Sequence, residues 1–229
     1  MTAKNRGNIL VLSAQVPFTR GGAELLVDNL VTELRARDFC VDTVALPFAA
    51  QPVTDLVKQV RMWRTLDLTS FGGRSVDLVV GTKFPTYCVK HPRKTLWLIH
   101  QHRQLYDLYG TRFGDITTTV QHEALRRLLS TADQRALAEC QNICTISKTV
   151  SSRLEQFCGF NSTVLEPPLP YRGKYYSRSK KNYILSVGRL CSMKRVDLLI
   201  KALPEINPLL TVKIVGAADE PLYEDYLRS

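Results

Sequence analysis

Apolar, β-branched runs recur at Ile9 to Leu12, Val41 to Leu46, Leu78 to Val80, Thr95 to Ile99, Ile143 to Ile146, Thr163 to Leu165, Tyr183 to Val187 and Thr211 to Val215, with helical patterns between them. Each run has the length of a strand, and strands alternating with helices predict an α/β fold: a parallel sheet covered by helices on both faces. The clearest helix runs from Ala23 to Arg35. Leu26, Val27, Leu30, Val31 and Leu34 form its apolar stripe, while Glu24, Asp28, Glu33 and Arg35 are expected outside. Further helices are predicted from about Gln121 to Cys140, from Lys148 to Cys158 with Gly159 as a left-handed stop, and from Asp197 to Leu203.

Both periods break between Glu166 and Lys181, where Pro167, Pro168, Pro170 and Gly173 precede a polar stretch. This predicts a linker over residues 169 to 181, between an N-terminal domain (1 to 168) and a second segment (182 to 229). That segment is shorter than the ~100 residues of a usual domain, so it reads as the beginning of one.

With 229 residues, 45% of them hydrophobic and 23% charged, the chain can bury one good core, which excludes disordered and fibrous classes. No apolar run approaches the ~18 residues of a membrane span, so a soluble protein is expected. The apolar stretch near the start is too short for a secretory signal, and Ile9 is read as entering the first strand. Six cysteines lack any CxxC pair, which points to reduced thiols and a cytoplasmic setting; for Cys140 and Cys144, packing is favoured over metal binding. A formal net charge of +10 favours polyanionic or phosphorylated partners, whether a diphosphate ligand or anionic lipid contacted peripherally. Nucleic acid ranks last, because the basic residues are scattered and no zinc-finger or leucine-zipper spacing is present.

Three constellations carry candidate chemistry. Gly21-Gly22 opens the first predicted helix, where glycines let a ligand approach the backbone and free N–H groups attract an anion. A tight loop without ligand explains the pair alone equally well. NAD is disfavoured, since no G-x-G-x-x-G follows the strand and Leu46-Pro47-Phe48 stands where an acid would sit. Second, Arg189 leaves the strand Tyr183 to Val187 and Lys194 follows five positions on, a cation pair suited to a diphosphate; by spacing alone, a solvated pair is the commoner case. Third, the strand Thr95 to Ile99 ends in His100-Gln101-His102, and ligands gather at the carboxyl ends of parallel strands. His100 and His102 alternate onto one side of a continuing strand, but no third ligand is in register, so metal binding is disfavoured. Lys83, after another strand end, is either a ligand contact or a solvated lysine. Arg126 and Arg127 read better as an exposed helical face than as an acceptor contact.

In this order Gly21-Gly22-Ala23-Glu24, Val187-Gly188-Arg189-Leu190 with Lys194, Asp197-Leu198-Leu199-Ile200 and Ile214-Val215-Gly216 resemble the retaining family 4 glycosyltransferases of the GT-B fold, over essentially the whole chain. The stretch Val187 to Ile200 is the most specific part, and Arg195 departs from the glycine usual after the lysine. The resemblance implies a complete acceptor-binding Rossmann-like domain followed by part of a nucleotide-sugar-binding one. Arg189 and Lys194 would hold the donor diphosphate and serve catalysis, and Gly21 and Gly22 would approach the donor from the opposite domain. His100, as a catalytic candidate, would touch the transferred sugar or acceptor, with Gln101 and Lys83 beside the acceptor. It implies a nucleotide sugar and a glycan, lipid-linked or small-molecule acceptor, without metal or other cofactor. The family's E-x7-E glutamates lie beyond the equivalent of Ser229, and Glu220, Glu224 and Asp225 come too early to replace them. The chain is therefore expected to be an incomplete form with little or no activity by itself. Competing expectations are an acceptor- or anionic-surface-binding fragment and another GT-B enzyme such as a nucleotide-sugar epimerase.

Overall fold

The structure is a computed structural model that describes residues 6–171, 173–205, 209–218 and 221–228; Glu220 lies outside them. The chain divides into two compact units, Met1–Pro170 and Tyr171–Ser229. The described residues from 165 to 182 form neither helix nor strand.

The first unit contains β1 (Asn8–Gln15), α1 (Gly22–Arg35), β2 (Cys40–Pro47), α2 (Asp55–Thr65), a small hairpin of β3 (Ser70–Phe71) and β4 (Arg74–Ser75), β5 (Leu78–Lys83), β6 (Lys94–His100), α3 (Val120–Ala138), β7 (Asn142–Thr145), α4 (Lys148–Cys158) and β8 (Thr163–Val164). Six strands form one sheet in the order β2-β1-β5-β6-β7-β8, and every pairing is parallel. This is the predicted Rossmann-like α/β architecture. Because successive side chains in a strand point to opposite faces, each strand divides its residues between two cores. Leu12, Val79, Leu96 and Leu98 meet α2, α3 and α4 on one face, whereas Ile9, Val11, Trp97 and Ile99 meet Val27 and Val31 of α1 on the other. A fully buried leucine such as Leu96 stabilises the fold by about 2 kcal/mol.

All the apolar runs of the first 170 residues are strands, and α4 has its predicted bounds, closing on Gly159 at φ 72°. Two elements escaped prediction. Helix α2 buries Gln59 on its inner face, where the amide donates to the Ala49 carbonyl at 2.6 Å and so meets the demand that a buried polar group be paired; a glutamine in the stripe conceals the helical period. Hairpin strands of two residues are too short to show any alternation.

The second unit contains β9 (Tyr183–Val187), α5 (Val196–Lys201), β10 (Thr211–Val215) and α6 (Pro221–Arg228). Its two strands are parallel and in register from Tyr183 with Thr211 to Val187 with Val215. Gly216 approaches the chain so closely that a Cβ there would lie 1.7 Å from the Gly188 carbonyl oxygen. Among the described residues no helix is long and apolar enough to cross a membrane, and all six cysteines are unpaired.

Candidate functional site

In the first unit the strand order turns about β1 and β5, since β2 lies outward of β1 and β6 outward of β5. The carboxyl end of such a switch point is where α/β sheets leave a crevice for ligands. The loop after β1 leads there to Gly21 and Gly22, β5 ends there at Lys83, and β6 ends beside it at His100, whose Cα is in register with that of Lys83.

Helix α1 begins with Gly21 as N-cap. Lacking a side-chain oxygen, Gly21 cannot cap the helix itself, but Glu24 in the first turn reaches back and accepts from the Gly21 N–H at 2.9 Å. Its other carboxylate oxygen meets Lys83 Nζ at 3.3 Å, with both side chains largely buried. Burial raises the Glu24 pKa, but hydrogen bonds from the Gly21 and Glu24 N–H groups, together with Lys83, outweigh it and hold the carboxyl below its ordinary value. Glu24 was expected outside; the structure turns it inward. The neighbouring N–H groups at the first and second helical positions, Gly22 and Ala23, have no intrahelical acceptor by the geometry of a helix start.

Neither glycine is required by the fold. Gly21 is extended, at φ −135° and ψ −162°, and a Cβ on Gly22 would meet nothing within 4 Å. The same loop turns through Phe18, whose ring is fully exposed and whose backbone is left-handed at φ 61°, a conformation uncommon for bulky residues. Nothing in the hydrophobic pattern marks it.

His100 Nδ1 lies 2.8 Å from its neighbour's carbonyl, Gln101 O. A carbonyl only accepts, so Nδ1 carries the proton and Nε2 keeps its lone pair. Although the residue has substantial exposed area, the ring is crowded enough that desolvation lowers its pKa, reinforced by Lys83 and Arg103 and opposed by the Gln101 carbonyl and Glu24. The imidazole is thus neutral near pH 7, with an acceptor nitrogen suited to a hydroxyl.

The structure brings Gly21, Gly22, Lys83 and His100 to one edge and adds Glu24. It separates Gln101 from them: that side chain is buried, with Nε2 3.0 Å from Cys158 Sγ, so it packs into the core instead of lining the edge. His102 also turns aside, against Phe84 at 5.4 Å and Phe48 at 6.3 Å between ring centroids, and burial followed by the nearby His100 lowers its pKa to about 4. Arg126 and Arg127 both pair with Glu123 along α3, at 3.0 and 2.9 Å. Among the described residues no group of three metal-ligating side chains occurs. A groove of about 390 Å³ lies at the other end of the sheet, lined by Leu10, Val44, Phe71 and Val76 among others. Its lining also includes Asn8, Asp42, Thr43 and Arg74, but it lies at the amino end of the strands, away from the switch point, so the carboxyl edge is the better candidate.

In the second unit, Arg189 and Lys194 are both exposed on the loop between β9 and α5, at the carboxyl end of β9. Lys194 ends a short 3-10 turn, Ser192–Lys194, and Arg195 follows in the left-handed conformation, φ 52° and ψ 39°. This is the position where the resemblance expects glycine, and the backbone supplies the reason. Arg195 is held over the start of α5 by Asp197, with Nε to Oδ1 at 3.1 Å, and Asp197 also accepts from the Tyr223 hydroxyl of α6 at 3.1 Å. No protein-family model matches the chain, and no curated protein matches it either.

Proposed function

We propose that the first unit is the acceptor-binding domain, and that the second unit belongs to the nucleotide-sugar-binding domain, of a GT-B glycosyltransferase that transfers a sugar from a nucleotide diphosphate sugar with retention of configuration. The observation that carries this reading is Gly21-Gly22: a glycine pair that neither backbone conformation nor crowding explains, at the start of α1 and at the switch point. Open space beside helix N–H groups suits a polar ligand. His100 Nε2 would accept from a sugar hydroxyl, and Lys83 with Glu24 would offer one donor and one acceptor beside it. In the second unit, Arg189 and Lys194 would neutralise charge developing on the leaving diphosphate, the electrostatic form of catalysis, with no metal needed.

Calorimetric titration of the chain with UDP, GDP and ADP tests the reading. One of them is expected to bind, and Arg189→Ala and Lys194→Ala each to weaken it about tenfold, or ~1.4 kcal/mol. Absence of binding by all three overturns it. If anionic vesicles are bound in a salt-dependent manner instead, the +10 charge serves an anionic surface, and the protein acts by binding.

A further inference from the structure

Below the candidate edge, polar side chains link the two loops that present Lys83 and His100. On the Lys83 side, Thr86 is fully buried; its hydroxyl accepts from the Thr82 N–H at 3.0 Å and donates to the Lys83 carbonyl at 2.7 Å. The adjoining Tyr87 lies against the β5 backbone so tightly that a Cβ on Gly81 would come within 2.8 Å of the Tyr87 Cβ. The Tyr87 hydroxyl donates to one carboxylate oxygen of Asp133, at 2.5 Å, and Tyr106 donates to the other. Tyr106 belongs to the same loop as His100, in which the Gln101 amide donates to Cys158 Sγ and the Gln101 carbonyl holds His100 Nδ1. The loop after β5 and the loop after β6 are therefore tied to the two oxygens of one carboxylate.

The centre of this link is Asp133, on the second turn from the end of α3 and 1% exposed. A carboxylate so deep in an apolar core is costly unless its oxygens are paired. Both are paired, one to each loop. Neither tyrosine needs such a partner for packing alone, since phenylalanine would fill the same ring volume. The arrangement thus trades desolvation of a carboxylate for a defined spacing between two loops, the condition a site needs if its groups are to be held in place by the residues behind them.

We propose that Asp133 is a positioning residue, fixing through Tyr87 and Tyr106 the relative placement of Lys83 and His100 at the carboxyl edge of the sheet. The inference concerns the geometry of that edge and holds or fails independently of the ligand it takes.

The test is the titration of the His100 imidazole by NMR in the full chain, its resonance assigned by its loss in His100→Gln. Tyr106→Phe and Tyr87→Phe each remove one hydroxyl and leave the ring. Each is expected to shift the His100 resonance and move its titration midpoint by about half a unit. Asp133→Leu is expected to shift it further, and Asp133→Asn, which offers one acceptor and one donor, to return it toward the wild-type value. If both tyrosine variants fold and their His100 titration matches wild type, Asp133 serves stability alone and the proposal is wrong, even where Asp133→Leu fails to fold. Nucleotide binding measured on the same samples reports separately on the proposed function.

Discussion

In the six-stranded sheet, Leu96 and Leu98 are buried under α2 to α4 on one face while Trp97 and Ile99 are buried toward α1 on the other. In the two-stranded sheet, burial alternates: Ile184, Ser186, Val212 and Ile214 are half-buried, but Tyr183, Leu185, Val187 and Val215 stay exposed, Val187 to 71%. Both regions show the same strand-helix-strand pattern and the same parallel pairing. The difference teaches that local pattern makes a parallel strand, whereas stability comes only where layers cover both of its faces. Carboxyl-edge loops rest on a rigid base in the first unit and on a thinner one in the second.

The most direct way to break the comparison is to truncate equivalent leucines. Leu96→Ala in β6 is expected to destabilise the first unit by about 3 kcal/mol, because it removes a fully buried side chain and leaves a cavity. Leu185→Ala in β9, 52% exposed, is expected to change stability by less than about 0.5 kcal/mol. Urea denaturation of both variants measures this, and equal losses would mean that the exposed face is covered in solution.

A comparable effect comes from Asp133. Burial raises its carboxyl from 3.8 to about 6, against the lowering effect of the Tyr106 and Tyr87 hydroxyls. The folded state then holds the proton more tightly than the unfolded one. Its contribution is fully present below pH ~4 and lost as pH rises through about 6, on the order of 3 kcal/mol. Wild type should therefore lose stability relative to Asp133→Asn between pH 4 and 7, as followed by denaturation at several pH values. A parallel pH dependence of the two proteins would show that the core around Asp133 is wetter than its burial indicates.

The smallest expected effect lies in the second unit. Arg195→Gly relieves a left-handed arginine at the cost of a part-buried ion pair to Asp197, whose carboxylate keeps the Tyr223 hydroxyl as a partner. Slower amide exchange of α5 is the expected outcome; faster exchange would mean that the Asp197 contact outweighs the backbone strain.

Much of the fold was legible because strand periodicity is local. Every apolar run became a strand, and Gly159 ended α4. Helix α2 was hidden by the buried Gln59, which is tolerated only because the Ala49 backbone pairs with it. Within the site, Gly21, Gly22, Lys83 and His100 were singled out by standing at strand ends and a helix start. Glu24 was misjudged because one turn of α1 cannot reveal that Lys83, 59 residues later, draws its carboxylate inward. The glutamate in Gly21-Gly22-Ala23-Glu24, three residues after an N-cap that lacks an oxygen, was the available signal. Gln101 was misplaced for the complementary reason: nothing near it in the chain announces Cys158, 57 residues away.

By itself, the amino-acid order determined which apolar runs are strands, where α1 and α4 stop, and which residues stand at the ends of those strands, since these follow from the spacing of neighbours. Only the tertiary structure decided which face of each strand is covered, that Glu24 and Lys83 form a pair, and that Asp133 joins two loops from beneath. Those outcomes depend on groups far apart in the chain meeting where water is excluded. There, an unpaired charge or hydroxyl costs more than any local preference can offset.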